Sequence, residues 1–258
     1  MKRRISNNNL DLLYELVKTS FTLKYNASIL GFLWVLLKPF MQFLILYIVF
    51  ANLSGNKNME NYTLYLLSGL IIFEYFREGI MTGIHALLDK AHIILKVNFN
   101  KVLAIYSTLL LALINFIINF LIIVIFSLFV SIHVNLISFL YFIFIISILS
   151  IFITGVSFFT SIIVVKIRDL QHIAEVGLQL LFYATPIFYQ IEIVPEPLRT
   201  ILKYNPLFII LNASRSALID GTIVYQNKIV LIGLVASIIL ITGFYFFKSE
   251  VTKIAEKF

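Results

Sequence analysis

The fold class this sequence predicts is an all-α integral membrane protein, on three observations. Of its 258 residues 60% are hydrophobic and only 13% charged, against about 45–50% and about 25% in soluble domains. Runs such as Leu109–Ile114 and Leu121–Phe126 are apolar on every side, whereas a transmembrane barrel alternates apolar and polar residues over strands of about ten. The length accommodates about six spans of roughly 20 residues with short loops.

Taken in order, residues 7–27 read as an amphipathic helix. Leu10, Tyr14, Val17 and Phe21 share one face, while Asp11, Glu15, Lys18 and Thr22 share another, the pattern of a helix lying in the membrane interface. Beyond positioning the first span, such a helix can also contact a cytoplasmic partner. Apolar segments then place spans at 30–52, 62–84, 103–131, 136–165, 172–190 and 228–247, all within one domain, 1–258. In the first span Pro39 bends the helix, Lys38 snorkels from its cytoplasmic end, and the ring of Trp34 suits the membrane interface. Four of the five prolines, Pro186, Pro195, Pro197 and Pro206, fall within Ala184–Pro206. They end the fifth span and fold the chain back, with Pro195 and Pro197 suited to a first helical turn and Pro206 opening a second apolar segment.

Basic residues set the orientation. One flank collects thirteen: Lys2, Arg3, Arg4, Lys18, Lys24, Lys90, Lys96, Lys101, Lys166, Arg168, Lys248, Lys253 and Lys257. The other collects five, Lys57, Arg199, Lys203, Arg215 and Lys228. The asymmetry places both termini in the cytoplasm and accounts for the net charge of +7 without nucleic acid. After M-K-R-R-I comes S-N-N-N rather than an apolar core, so no cleavable leader is expected.

Few chemical motifs are present. The chain has no cysteine and no G-x-x-x-x-G-K-[ST] loop, H-E-x-x-H or G-x-S-x-G, which excludes thiol chemistry and an ATP site in this chain. No catalytic residue is expected, and His172 with Glu175 is a single pair, too little for a metal. The intramembrane cluster Glu74–Glu78 is the chief anomaly, because ionisable residues at such depth are rare and default to functional suspicion. Glu74 and Arg77 can pair at i, i+3, as a locally neutralised pair facing a protein interior or a wet vestibule; a proton relay would need acids or histidines mid-span in spans three, four or six, where none stands. Phe40, Phe43, Tyr47 and Phe50 make a stripe along one face of the first span. It reads either as lipid or helix packing or as a channel wall on which the C–H faces of sugar rings slide. The loop Leu87–Lys101 is short, of mixed polarity, and sized for a helix across the membrane surface.

Several blocks in this order resemble the permease subunit of type-2 ABC exporters of lipid-linked polysaccharides (O-antigen, teichoic acid, capsule): L-K-Y-N-A-S-I-L-G-F-L-W-V-L-L-K-P (Leu23–Pro39), Y-L-L-S-G-L (Tyr65–Leu70), D-K-A-H-I-I-L-K-V-N-F (Asp89–Phe99), I-R-D-L-Q (Ile167–Gln171), and A-T-P-I-F-Y…V-P-E-P-L-R…Y-N-P-L (Ala184–Leu207). The resemblance covers nearly the whole chain and implies six spans per protomer, a homodimer, and two separate ATP-binding subunits that carry ATP and Mg²⁺, with no cofactor in this chain. It makes 87–101 a coupling loop, with Asp89, Lys90, His92, Ile93, Ile94 and Lys96 meeting the ATPase. It makes 191–220 a re-entrant outer segment, with Pro186, Pro195, Pro197 and Pro206 as hinges of an outer gate. A polymer path would run past Phe40, Phe43 and Tyr47, with Phe182, Tyr183, Phe188 and Tyr189 beyond and Trp34 counted with them. Lys24, Lys38 and Arg168 would receive the diphosphate of an undecaprenyl-linked glycan, or touch ordinary anionic lipid. The implied location is the bacterial cytoplasmic (inner) membrane, multi-pass.

The family often has Pro-Trp near Phe73–Glu74, a Pro where Asn100 stands, and a neutral residue in place of Lys38, so the charged second span is not explained by resemblance. Two rivals stand: a type-2 permease for a lipid or drug, which usually lacks Y-N-A-S-I-L-G-F-L-W, and an embedded polyprenyl-linked sugar transferase, which should cluster acids and a metal at the cytoplasmic face.

Overall fold

The computed structural model describes residues 9–25, 31–52, 59, 61–94, 96, 99–130 and 132–254. Lys2, Arg3, Arg4, Lys57 and Lys257 lie outside the described residues, as do the ends of the 7–27 helix, residues 26–30 of the first resemblance block, residues 95, 97 and 98 of the loop, and residue 131.

Among the described residues the regular structure is entirely helical: α1 (Asn9–Tyr25), α2 (Leu33–Phe50), α3 (Tyr62–His85), the single turn α4 (Ala91–Ile94), α5 (Val102–Ser127), α6 (Leu136–Lys166), α7 (Leu170–Ala184), α8 (Glu196–Leu202), α9 (Pro206–Arg215) and α10 (Gln226–Ile254). A 3₁₀ turn, Ile191–Ile193, precedes α8, and a π-helical turn, Ser216–Asp220, follows α9. Four helices, α2, α5, α6 and α10, are long and apolar enough to cross a membrane. The segment 62–84 is helical as α3 but carries Glu74, Arg77 and Glu78. Within 172–190 the helix ends at Ala184, and α7 has 15 residues, which at about 1.5 Å each rise roughly 22 Å.

Helix α3 is the axis of the protein. It is buried along most of its length, with α5 and α6 against it and α2, α7 and α9 completing its surroundings. Close approach relies on small residues, as in membrane bundles generally. A Cβ at Gly79 would press on Ile153 of α6, and one at Gly83 would overlap Ser157. In the α6–α10 pair the close neighbour is backbone, because a Cβ at Gly155 would stand 2.7 Å from the Leu240 amide nitrogen.

Local chemistry sets the helix starts. Asn135 caps α6 by accepting from the Ser138 amide at 2.8 Å, and Ser138 Oγ in turn accepts from the Asn135 amide at 3.2 Å. Asn205 caps α9 ahead of Pro206, and Pro195 stands at the start of α8 with Pro197 in its first turn. Gly221, at φ +66°, closes the π-helical turn against the His133 carbonyl, where a side chain would collide.

On α1 the amphipathic stripe is only partly covered. Leu10 and Tyr14 are exposed, and the residues buried against the body are Leu16 and Tyr25. Val17 and Phe21 are half-buried, Phe21 packing on Tyr25 and Phe32, so the first half of the stripe faces away from the bundle while the helix docks on α5.

Candidate functional site

Where α1, α2, α3, α5 and α7 meet they enclose a cavity of about 740 Å³. Its charge comes from residues that the sequence left unexplained. Arg77 donates through Nε and Nη2 to both Glu74 oxygens, at 2.8 and 2.7 Å, the bidentate geometry that makes such pairs strong. Glu78, one residue on, accepts from Lys24 of α1 at 2.5 Å and from Asn115 Nδ2 of α5 at 2.6 Å. Tyr25 donates to Asn115 Oδ1 at 3.0 Å. One carboxylate thus ties the end of α1 to the middle of α5. Burial alone would pull the Lys24 ammonium pKa down, but the adjacent Glu78 carboxylate outweighs it and the net shift is upward. Lys38 lies 4.0 Å from Glu74 with a largely exposed side chain, and Glu175 of α7 brings a third carboxylate near Arg77. Among the described residues no three His, Asp or Glu side chains are grouped to hold a metal ion.

The amides were the missed residues. Asn115 and Asn119 sit at i, i+4 on one face of a helix otherwise apolar for turns on either side, and both line the cavity. Asn119 is 6% exposed, and its Oδ1 has no hydrogen-bond partner. Two amides at helical spacing inside an apolar run were the available signal.

The aromatic stripe divides. Phe43 is 3% exposed, and with Phe40 it packs on Phe126 of α5; Tyr47 is stacked on Tyr62. Phe43 is turned inward, Phe40 is half-buried, and Tyr47 keeps an exposed edge. Helix α2 instead lines the cavity with its adjacent face, on which Trp34, Lys38 and Gln42 follow at i, i+4 and i+8. Phe182 and Tyr183 line the cavity too, while Phe188 and Tyr189 pack beside them, with Phe50 of α2 against Phe188. Arg168 is not part of the cavity wall.

The loop after α3 presents two faces. Asp89, His92 and Lys96 are exposed, Ile93 is half-buried, and Lys90 and Ile94 turn inward. Ile94 joins a small core with Leu87, Ile105, Phe158 and Phe247. Burial pushes the Lys90 ammonium down to about 8, partly countered by Asp89.

Around the proline-rich stretch a second polar feature appears. Arg215, counted by sequence with the outer-loop cations, is buried. Its guanidinium donates to the backbone carbonyls of Tyr65 (3.1 Å), Pro186 (2.9 Å) and Ile187 (2.7 Å) and stacks 3.5 Å over the Tyr65 ring. Tyr62 donates to the Phe188 carbonyl at 2.8 Å and Tyr65 to that of Tyr189 at 3.1 Å. The non-helical backbone at 185–189 is thereby satisfied by protein, as such backbone must be inside a membrane. Pro186 is buried in this clamp, whereas Pro195, Pro197 and Pro206 are exposed. Arg199 separately fastens the turn before α8, donating to the Glu192 and Val194 carbonyls and to Glu196.

Long apolar helices beside a charged cavity describe a multi-pass membrane protein. Residues 11–219 match the ABC-2 type transporter family, and the chain belongs to it, as a permease and not an enzyme. Two proteins of Klebsiella pneumoniae, each named O-antigen export system permease protein RfbA, are similar to it. One is 29% identical over 216 residues, covering 84% of this chain and 83% of the relative. The other is 29% identical over 234 residues, covering 91% and 87%. A protein of the same name from Myxococcus xanthus is 25% identical over 251 residues, covering 95% and 94%.

Proposed function

We propose that this chain is the permease subunit of an ATP-driven exporter that moves an undecaprenyl-diphosphate-linked polysaccharide out of the cytoplasm, across the bacterial inner membrane. The observation that carries the reading is its similarity, over most of both chains, to three permeases named for O-antigen export. The working unit is a homodimer with two ATP-binding subunits, each protomer contributing six spans with both termini cytoplasmic. In this arrangement α3 and α7 are the second and fifth spans, and the intramembrane charges of α3 are tolerated because they face a protein cavity rather than lipid.

The parts then divide the work. Asp89, His92 and Lys96 form the exposed row that meets the ATPase, while Lys90 and Ile94 anchor the loop to the α5–α6–α10 floor. Lys38, with its exposed ammonium, receives the lipid diphosphate at the cavity rim, with Lys24 beside it and Arg168 further out along the cytoplasmic side. Trp34, Phe182 and Tyr183 line the cavity end of the polymer path, which continues past Phe188 and Tyr189. Phe40, Phe43 and Tyr47 support the α2 wall from behind. The segment 191–220 is the re-entrant outer gate, hinged at Pro195, Pro197 and Pro206 and held to α3 by Arg215 at Pro186.

The combined Asp89→Ala, His92→Ala, Lys96→Ala variant should insert normally and abolish surface polymer. Normal export from a stably inserted variant would refute the coupling assignment.

A further inference from the structure

Resting on the export reading above, which makes the loop after α3 the docking site of the ATP-binding subunit, one side chain of that loop takes a part of its own. We infer that Lys90 is a recognition cation for that subunit: on docking, its ammonium leaves the apolar floor and pairs with a carboxylate that the subunit brings.

Two observations carry this. First, Lys90 is a buried charge without a partner. Among the described residues two cations are buried, Arg215 at 3% exposure and Lys90 at 5%. Arg215 is served by three backbone carbonyls. Lys90 has no hydrogen bond or ion pair among the described residues, and the neighbouring Asp89 carboxylate acts on it only through space, too weakly to offset burial. Buried polar groups are almost always paired, and a buried charge needs pairing more than any other. This chain alone leaves the ammonium short of one anion.

Second, its place in the loop gives a partner access. Asp89 and His92, both exposed, stand one residue before it and two after, so a protein seated on the outward row covers Lys90 as well. The backbone there is fixed by turns, with the Asp89 amide on the His85 carbonyl and the Ile94 amide on the Lys90 carbonyl, each at 2.9 Å. Leu87 and Ile94 hold it to the small core. The flexible four-carbon stem of lysine lets the ammonium change sides without moving that backbone. It carries three donors and no acceptor, and a carboxylate is its strongest answer. Across a protein contact such a pair fixes register and partner choice. The charge that the lone permease leaves unpaired thus becomes part of what favours assembly.

The permease, in nanodiscs of phosphatidylcholine and separately of phosphatidylglycerol, is titrated with the fluorescently labelled ATP-binding subunit that co-purifies with it. Lys90→Met should bind that subunit at least about tenfold more weakly in both, a gap of about 1.4 kcal/mol. Without the subunit, the same variant should unfold at higher SDS than wild type, because it removes an unpaired charge from an apolar site. Lys90→Glu should bind more weakly still, and one single reversal of a surface acid to lysine on the subunit should restore it. Unchanged affinity for Lys90→Met, or the lack of any restoring reversal, overturns the inference and leaves the export reading standing. So does a lower SDS midpoint for Lys90→Met, which would place the partner within this chain, or a loss confined to phosphatidylglycerol, which would assign the ammonium to lipid phosphate. Failure of any ATP-binding subunit to bind the wild-type chain contradicts the export reading itself.

Discussion

Replacing Arg215 with methionine tests how the segment after α7 is held. The guanidinium serves three carbonyls, and those of Pro186 and Ile187 belong to non-helical backbone. Methionine keeps much of the apolar stem and removes every donor, leaving the Ile187 carbonyl unsatisfied and the Pro186 carbonyl with the Tyr65 hydroxyl alone, at 3.4 Å. At roughly 1–3 kcal/mol for one such acceptor, the loss is at least about 1–3 kcal/mol, before the ring contact with Tyr65 is counted. The absence of cysteine from the chain supplies the assay. Ile187 is fully buried, so a cysteine introduced there reacts with a maleimide only when the segment opens. In that Ile187→Cys background, Arg215→Met should speed labelling at least about fivefold, the factor corresponding to about 1 kcal/mol, with Arg215→Lys between the two. Equal labelling rates with and without the guanidinium would refute the clamp.

Other outcomes follow from the packing and the charges. Gly155→Ala should destabilise the α6–α10 pair by about 1–3 kcal/mol, because the new methyl meets the Leu240 backbone; SDS-titrated unfolding of the purified chain measures this. Lys90, lowered to about 8 by burial, binds fewer protons folded than unfolded between about pH 8 and its ordinary value of 10.5. Stability should therefore rise with pH through that window, by on the order of 3 kcal/mol at most, and Lys90→Met should remove the rise. Glu78→Gln weakens the tie between α1 and α3, since it removes the carboxylate that Lys24 and Asn115 share. Cross-linking between cysteines placed on α1 and α5 should fall, and an unchanged yield would show that Tyr25 alone holds α1.

The sequence displayed what depends on composition and period: helices, their apolar character, the break at the prolines, and the charged anomaly in α3. What it did not display is direction. A 3.6-residue period placed Phe40, Phe43 and Tyr47 on one face of α2, but any of several neighbours could cover that face, and in the structure Phe126 and Tyr62 do. The cavity wall lies one face over, where Gln42 and Lys38 carry no aromatic signature. The Glu74–Arg77 pair at i, i+3 was legible, but Glu78 lacked an explanation because its partners, Lys24 and Asn115, stand 54 and 37 residues away. Arg215 was legible as a charge but not as a buried one, since its acceptors are backbone carbonyls, which carry no side-chain signature in a sequence. The loop after α3 was read as a single surface; one turn of helix at Ala91–Ile94 divides it into an outward and an inward row.

The central claim is that this chain passes a lipid-linked polysaccharide outward. Deleting its gene and following the polymer with a surface-specific antibody, beside extraction of undecaprenyl-linked glycan from the cell interior, tests it most directly. The account predicts loss of surface polymer, accumulation of the full-length lipid-linked chain inside, and restoration of both by the wild-type gene. Unchanged surface polymer, or its loss with no lipid-linked chain accumulating inside, would contradict the account.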